Sequence, residues 1–359
     1  MNLPEKANTD GKVNETDFEM TSPITVVSGC DEGYTLPLAV TMRSAINRLG
    51  KAERLAIYII DGGITDASKD ALCRSWQDSR VSISFVEPDL SCLQGFPVSH
   101  HVSLSTYLRF MIPDVLPAHV DRAIYIDSDM LILRDLAELW NQPQSGNAVL
   151  AVQECAAPFI DSTVVLACER RRQRHLAAMR PIANYEQLGI PPTNKYFNGG
   201  LLVVDVECWR TKRIAQQLLE CLAKNRDYVL WWDQYALNAV LHDKWGELDL
   251  RWNQGAHLYC YPSPGLSPFD AQTYRRLLRD PWIVHFCSPS KPWNYFCSHP
   301  WTRAFYRCMT QTEWRDYQPK RPNEFAKQWW THHSSVASQK VQRLTRTASE
   351  QLKTLRKSA

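Results

Sequence analysis

The sequence predicts an α/β fold in which a mixed, mainly parallel sheet is flanked by helices. From Pro23 onward, short β-branched runs alternate with helical patterns. Of the 359 residues, 44% are hydrophobic and 22% are charged, which is typical of a globular protein with a large core. The run 123–126 is continuously apolar, as expected for a strand that is covered on both faces.

The first predicted unit is a strand at 24–27 followed by apolar residues at helical spacing up to Leu49. Thr35 stands before that pattern and is a candidate N-cap. Strands are also predicted at 55–60 and 81–86, with a helical pattern between them. Right-handed crossovers would place these three strands in one parallel sheet.

The strand predicted at 123–126 runs into the triplet Asp127-Ser128-Asp129. Ligands of α/β sheets bind beyond the carboxyl ends of the strands. Residues two apart on extended backbone point to the same side, so the carboxylates of Asp127 and Asp129 would converge and favour a hard cation such as Mg²⁺ or Mn²⁺. The alternative is an acid in a solvated loop that caps a helix at 134–140, and the triplet alone does not decide between the two.

Two later segments combine polar groups with a predicted element. The segment 197–200, Phe-Asn-Gly-Gly, precedes a strand predicted at 201–204, so its glycines either let backbone approach a ligand or form a simple turn. The segment 231–234, Trp-Trp-Asp-Gln, stands at the start of a helix that is predicted over 233–242. Aromatic rings beside a carboxylate and an amide suit a sugar, whereas core tryptophans with Asp233 as an N-cap are the alternative.

His285 follows a strand predicted at 282–284, and Lys291 comes six residues later. A histidine at this position is either a hydrogen-bonded core residue or a ligand. An imidazole added to two carboxylates favours Mn²⁺. The ammonium group of Lys291 on the same loop would help a metal ion to neutralise a bound pyrophosphate.

The net charge of +3 is unevenly distributed, because residues 319–359 hold nine Lys or Arg and only two Glu. Apolar residues recur every three or four positions over 341–355 among basic ones, which predicts a basic amphipathic helix. We therefore expect a polar N-terminal extension (1–22), a main domain (23–318) and a basic helical tail (319–359).

The remaining composition narrows the class of protein. Eleven cysteines without a C-x-x-C pair argue against a disulfide framework or a zinc ribbon. No run of 18 apolar residues and no signal peptide is present, so we expect an intracellular, cytoplasmic protein. No basic patch interleaved with aromatic residues accompanies the candidate site, so we expect no nucleic-acid partner.

Taken together, these motifs resemble glycosyltransferase family 8, which includes bacterial lipopolysaccharide galactosyl- and glucosyltransferases and the glycogenins. The order and spacing match from about Ile24 to Trp293. Four motifs carry the resemblance: Asp127-Ser128-Asp129, Tyr196 to Leu202, Asp233 to Asn238, and His285 to Trp293.

The resemblance implies a GT-A fold for residues 23–318 and a retaining enzyme. Such an enzyme moves a hexose, galactose or glucose, from a UDP-sugar to a hydroxyl of a glycan or glycolipid such as lipopolysaccharide core, with Mn²⁺ or, as an alternative, Mg²⁺. The resemblance also implies roles for individual residues: metal binding by Asp127, Asp129 and His285, donor binding by Asp31, Arg109, Asp127, Ser128, Asp129, Ser288 and Lys291, and catalysis at the donor sugar by Asn198, Asp233 and Gln234.

Two alternatives belong to other classes. A Mg²⁺-dependent phosphohydrolase would form a phospho-aspartate on the first acid of the triplet, but such enzymes usually follow the triplet with a small hydroxyl residue, and Met130 stands there. A non-catalytic sugar- or lipid-binding module would rest on the basic tail alone. That tail is a terminal helix packed on the body, a helix that is partly disordered, or a peripheral contact with an anionic membrane, on its inner face.

Overall fold

The computed structural model describes residues 22–89, 91, 104–334 and 337. A seven-stranded sheet and a separate three-stranded sheet form its framework. Within the described residues, no helix has both the length and the apolar character needed to cross a bilayer.

The strands are β1 Ile24–Cys30, β2 Leu55–Asp61, β3 Val81–Val86, β4 Arg122–Ile126, β5 Met130–Ile132, β6 Val149–Gln153, β7 Phe197–Asp205, β8 Trp245–Glu247, β9 Gln254–Gly255 and β10 Ile283–His285. The α-helices are α1 Thr35–Ile46, α2 Asp66–Ser75, α3 Ile112–Val115, α4 Ala137–Trp140, α5 Ser162–Val165, α6 Arg170–Gln173, α7 Val206–Thr211, α8 Ile214–Lys224, α9 Trp232–Leu241, α10 Ala271–Arg279 and α11 Thr302–Met309. Short 3₁₀ helices cover Glu32–Tyr34, Leu104–Met111, Arg226–Tyr228, Leu250–Asn253, Ala256–Cys260 and Pro264–Leu266.

The large sheet is mixed and mostly parallel, with the strand order β3-β2-β1-β4-β7-β6-β8. β1, β2, β3 and β4 are all parallel to their neighbours within this group, as the βα alternation predicts. β7 enters antiparallel between β4 and β6. The predicted fold class is therefore confirmed.

Helices cover both faces of this sheet, which explains the continuous apolar runs in its central strands. Every residue of β1 is buried, and so are the first eight residues of β7. The described part of the chain has two large hydrophobic cores. The core that includes Trp209 contains residues of α8 and α9, and the core that includes Trp76 contains residues of α1. The sheet edge, rather than its faces, is thus left for a binding site.

The small sheet has the order β5-β10-β9. β10 runs antiparallel to β5, with His285 opposite Met130, and parallel to β9, with His285 opposite Gly255. Since β5 starts directly after the triplet 127–129, this pairing brings His285 beside the two aspartates. The predicted strand at 282–284 is shifted by one residue and ends on the histidine itself.

Two predicted helix starts are wrong. Thr35 is the first residue of α1, not its cap, because its hydroxyl donates to the carbonyl of Glu32 (3.0 Å) in the preceding 3₁₀ turn. The helix predicted at 134–140 begins only at Ala137, the first residue of α4. An Asp135 carboxylate oxygen accepts from the amide of Ala137 (2.9 Å). In both places a side-chain hydrogen bond to nearby backbone accompanies the observed start of the helix.

The Pro- and Ser-rich segment 259–270, from which a surface loop is expected, is irregular but packed. Tyr261 and Phe269 are buried in a small cluster with Leu277 of α10. The Tyr261 hydroxyl donates to the carbonyl of Cys155 (2.5 Å), which satisfies its polar end. The expectation was wrong because its apolar residues find partners far away in the chain.

The tail is only partly described. Residues 325–334 are helical, and Trp329 and Trp330 on this helix are 41% and 70% exposed. The amphipathic pattern at 341–355 and almost all of the polar extension 1–22 lie outside the described residues. The predicted boundaries of the main domain and its basic tail therefore stay predictions.

Two hydroxyl groups of α1 hold the segment that follows β4. The Thr41 hydroxyl lies 2.8 Å from the Ser128 carbonyl and 2.7 Å from that of Met130, and it accepts from the Met130 amide (3.1 Å). The Ser44 hydroxyl accepts from the amide of Ile132 (2.8 Å). Because these groups are buried, they fix the position of the aspartate triplet against the helix.

We expect Thr41→Val, which keeps the side-chain shape but removes the hydroxyl, to lower the free energy of unfolding by about 1–3 kcal/mol, because buried backbone groups lose their partner. Urea denaturation measures this loss. Thr310→Val is the control, because the exposed Thr310 hydroxyl bonds only to the Arg307 carbonyl of its own helix end. Equal stability of the two variants would contradict the assigned role of Thr41.

Candidate active site

The candidate site lies at the carboxyl ends of β1 and β4, two parallel neighbours of the large sheet. Asp31 directly follows β1 and Asp127 directly follows β4. A carboxylate oxygen of Asp31 accepts from the Ser105 hydroxyl (3.0 Å). This is the edge at which ligands of α/β sheets bind.

Asp127, Asp129 and His285 form a cluster in which one ligand atom of each lies within 4.8 Å of the others. The Nε2 atom of His285 is 3.2 Å from an Asp129 oxygen and 3.7 Å from an Asp127 oxygen. Asp129 and His285 are buried. The predicted convergence of these three residues is therefore confirmed.

Lys291 completes the cluster, since its Nζ atom lies 2.6 Å from the second carboxylate oxygen of Asp129 and also donates to the carbonyl of Phe286 (2.6 Å). Burial by itself would raise the pKa of Asp129, but the charge of Lys291 and its hydrogen bond to Asp129 hold that pKa below its usual range. Burial likewise opposes the charge of Lys291, yet Asp129 raises the pKa of this lysine. Both groups are thus ionised and paired at neutral pH.

Arg109 links the cluster to α9. Its guanidinium is buried, lies 2.8 Å from an Asp127 oxygen and 3.0 Å from an Asp233 oxygen, and donates to the Gly199 carbonyl. Burial would lower the pKa of Arg109, but the two carboxylates outweigh it and raise that pKa. The guanidinium also lies over the ring of Tyr125, 4.7 Å from its centre.

The segment 197–200 lies within β7, which rules out the alternative of a simple turn before this strand. Asn198 turns its amide toward the cluster: Oδ1 accepts from the Gly200 amide (2.9 Å) and Nδ2 donates to a Glu154 carboxylate oxygen (2.5 Å). A Cβ atom on Gly200 would lie 2.5 Å from His285 Cε1 and 2.7 Å from an Asp127 oxygen. Only glycine therefore lets β7 pass so close to the cluster.

Asp233 is not the N-cap of α9, as its position in the sequence suggested, because the helix begins at Trp232. Its carboxylate instead accepts from the Thr106 hydroxyl (2.9 Å) and pairs with Arg109. Burial raises the pKa of Asp233, and Arg109 opposes that rise. The neighbouring Gln234 accepts from the Gly199 amide through Oε1 (2.9 Å), which turns its amide toward β7.

The hydrogen bonds of the two predicted serines each involve a backbone carbonyl. The carbonyl of Ser128 accepts from Thr41, as described above. The Ser288 hydroxyl donates to the Ser290 carbonyl (3.1 Å) inside its own loop. The structure thus places Asp127, Asp129, His285 and Lys291 close together, whereas the Ser288 hydroxyl bonds within its own loop.

Among the residues that sequence reasoning missed are Asn253 and Glu154, which contact members of this group. Asn253 bonds to Nδ1 of His285 (3.0 Å) and to Oδ1 of Asn198 (2.9 Å), and Glu154 bonds to Asn198. Asn253 stands in no recognisable motif, so no signal pointed to it. Glu154 directly follows β6, and its place after a buried strand was the one available signal.

The donor set fits a divalent cation. The connected network contains four carboxylates, Asp127, Asp129, Glu154 and Asp233, against two cationic side chains, Arg109 and Lys291. Its formal charge is −2 when the histidine is neutral, and a divalent ion would balance it. Two carboxylates and an imidazole are ligands that suit Mn²⁺, although the residues alone do not select one metal.

The family model "Glycosyl transferase family 8" matches residues 25–297. The chain belongs to glycosyltransferase family 8. It is therefore a glycosyltransferase. This excludes the two alternatives, a phosphohydrolase and a non-catalytic binding module. The matched range contains all the residues of the cluster.

Curated relatives and solved structures agree with this assignment. General stress protein A of Bacillus subtilis is 29% identical over 80% of this chain and 94% of the relative. The lipopolysaccharide 1,2-glucosyltransferase of Escherichia coli is 22% identical over 86% of each chain. The galactosyltransferase LgtC, solved in complex with donor and acceptor sugar analogues, is 22% identical, with a TM-score of 0.65 over 82% of this chain and 99% of LgtC. This structural likeness shows the GT-A-like fold.

We expect Gly200→Ala to abolish glycosyl transfer and to lower the free energy of unfolding by about 1–3 kcal/mol, because the added methyl group collides with His285 and Asp127. Activity assays and thermal unfolding measure the two effects. Gly265→Ala is the matched control, since a Cβ atom there meets no atom within 4 Å. Wild-type activity of Gly200→Ala would contradict the close approach described here.

Proposed function

We propose that this glycosyltransferase moves a hexose, galactose or glucose, from a UDP-sugar to a hydroxyl of a glycan or glycolipid, with retention of anomeric configuration and with a divalent ion, Mn²⁺ in preference to Mg²⁺. The observation that carries the proposal is the Asp127, Asp129 and His285 cluster with Lys291 beside it at the carboxyl edge of the sheet. The names of the relatives, a lipopolysaccharide glucosyltransferase and a galactosyltransferase, support the donor and acceptor classes.

Different side chains of the site would bind different parts of the donor. Asp127, Asp129 and His285 would hold the ion, which supplies positive charge to the diphosphate as it leaves. Lys291 would donate to the leaving phosphate from the other side. Asp31 at the end of β1 would contact the nucleoside.

Arg109 would act over the donor by holding two carboxylates in place, since it lies within 3.0 Å of both Asp127 and Asp233. Asn198, Asp233 and Gln234 would face the sugar ring. Asp233 would stabilise positive charge that develops on the ring, which is an electrostatic contribution of the kind that is usually largest in enzymes. Ser128 and Ser288 would contribute to the walls around the phosphates.

Retention follows from attack on the same face as departure. A covalent intermediate needs a carboxylate nucleophile, but the Asp233 carboxylate is engaged by Arg109 and Thr106, and Gln234 offers only an amide. We therefore favour direct attack by the acceptor hydroxyl. A bond forms between its oxygen and the anomeric carbon, the bond from that carbon to the phosphate oxygen breaks, and the hydroxyl proton passes to the leaving phosphate oxygen.

A screen of UDP-sugars with Mn²⁺ tests the function. We expect UDP-galactose or UDP-glucose to be hydrolysed or transferred, and UDP with Mn²⁺ to raise the melting temperature, because a ligand that binds only the folded state stabilises it. The absence of both effects with every UDP-sugar would overturn the proposal. Mass spectrometry of enzyme given donor alone tests the mechanism, since a glycosyl adduct on Asp233 or Gln234 contradicts same-face attack.

In the same assay, we expect Asp129→Asn to weaken Mn²⁺ binding and to lower kcat/KM by about 100-fold or more, because the ion loses a charged ligand and Lys291 loses its partner. Asp316→Asn is the control, because the Asp316 side chain is 98% exposed. Equal activity of Asp129→Asn and wild type would remove Asp129 from the proposed ion site.

We also propose that the basic tail holds the enzyme on the inner face of an anionic membrane, which would suit a lipid-linked acceptor. The exposed Trp329 and Trp330 and the excess of basic residues over 319–359 support this. Each Lys or Arg near such a surface adds about 1 kcal/mol of binding.

Flotation with vesicles that contain phosphatidylglycerol tests this contact. We expect the full chain to float with the vesicles and a chain cut before Pro319 to remain below, with less flotation at high salt because the attraction is electrostatic. Vesicles of phosphatidylcholine alone are the control. Equal flotation of the two chains would show that the tail has no part in membrane binding.

A further inference from the structure

Asn253 contacts the far side of the histidine in the candidate ion site. While Nε2 of His285 points at the two aspartates, Nδ1 lies 3.0 Å from Oδ1 of Asn253. Asn253 is buried, ends the 3₁₀ turn Leu250–Asn253 and directly precedes β9, the parallel neighbour of β10. Its position is thus fixed by the same small sheet that carries His285.

The direction of the hydrogen bonds around Asn253 follows from a backbone group. The Gly200 amide can only donate, so the Asn198 side-chain atom 2.9 Å away from it is the oxygen. That oxygen also lies 2.9 Å from the side-chain amide of Asn253, which must therefore donate through its nitrogen. The Asn198 nitrogen then donates to the Glu154 carboxylate, which only accepts.

This direction decides the tautomer of His285. Since the Asn253 nitrogen faces Asn198, its oxygen faces Nδ1 of the histidine, and Nδ1 must carry the hydrogen. A neutral ring then has its lone pair on Nε2, which is directed at carboxylate oxygens 3.2 and 3.7 Å away. That lone pair is thus available to a cation that the two carboxylates also bind.

We propose that Asn253 is a positioning residue that holds neutral His285 in its Nδ1–H tautomer and so keeps Nε2 available for the metal ion. Asn198, oriented by Gly200 and Glu154, sets the direction of the Asn253 amide. A hydrogen bond to the free nitrogen of a ligating histidine orients the ring, and its loss typically weakens metal binding by about 10- to 100-fold. The inference rests on the proposed role of His285 as a ligand.

Two substitutions of Asn253 distinguish the effect of its accepting oxygen from the effect of its side-chain volume. Asn253→Leu has a similar volume and no acceptor, whereas Asn253→Asp keeps an oxygen for Nδ1. Long-range ¹H–¹⁵N spectra of the metal-free protein at a pH where the ring is neutral report the tautomer, and His285→Gln identifies the signal. Electron paramagnetic resonance of free Mn²⁺ gives the dissociation constant for the metal alone.

We expect His285 to be protonated on Nδ1 in the wild type and in Asn253→Asp, and to populate the Nε2–H form in Asn253→Leu. The Mn²⁺ dissociation constant should rise about 10- to 100-fold in Asn253→Leu and stay closer to the wild-type value in Asn253→Asp. Asn184→Leu is the matched control, since Asn184 is equally buried and bonds to Asn225 and Tyr235 instead.

An Nε2–H tautomer in the wild type would overturn the proposal, and so would wild-type tautomer and affinity in Asn253→Leu. If Asn253→Leu fails to fold, the ¹H–¹⁵N spectra of the wild type and of Asn253→Asp still test the predicted tautomer of His285. Failure of the wild type to bind Mn²⁺ would instead contradict the ion site under the proposed function, while the tautomer would still report on Asn253.

Discussion

The site depends on the convergence of negative charge at one edge of a buried sheet. Asp127 and Asp129 come within ion-binding distance of His285, and among the described residues two cationic side chains, Arg109 and Lys291, pair with carboxylates of this network. Carboxylates that lie this close repel one another unless a cation is placed between them. A divalent ion would balance that charge, and the diphosphate of a sugar nucleotide would bring negative charge that the ion and Lys291 would attract.

The rest of the fold keeps these groups in place. Thr41 of α1 holds the carbonyls after β4, and Gly200 lets β7 pass beneath the cluster without a side chain. The three short strands of the small sheet bring His285 to the aspartates, although β10 itself has only three residues. Arg109 joins the cluster to Asp233 of α9, so the candidate ion site and the proposed sugar site share one buried cation.

Where sequence reasoning left two readings open or was wrong, the cause is the same. A helix cap was one of two readings of Asp233, and a simple turn was one of two readings of segment 197–200, because aspartate and glycine usually serve those local purposes. In the structure, Asp233 pairs with Arg109, which is 124 positions away, and the glycines lie in a buried strand. The segment 259–270 is likewise buried by distant residues. Tertiary contacts overrode the local preference in each case.

The sequence by itself determined the class of fold, because the alternation of apolar runs and helical patterns is a local property. It also marked Asp127, Asp129 and His285 as candidate metal ligands and Lys291 as a candidate contact of the diphosphate, because they stand in compact motifs at strand ends. Only the tertiary structure decided that Asn253 and Glu154 belong to the same network. Their contacts cross 32 and 44 positions of the chain, and no local spacing records which distant groups a folded sheet brings within hydrogen-bonding distance.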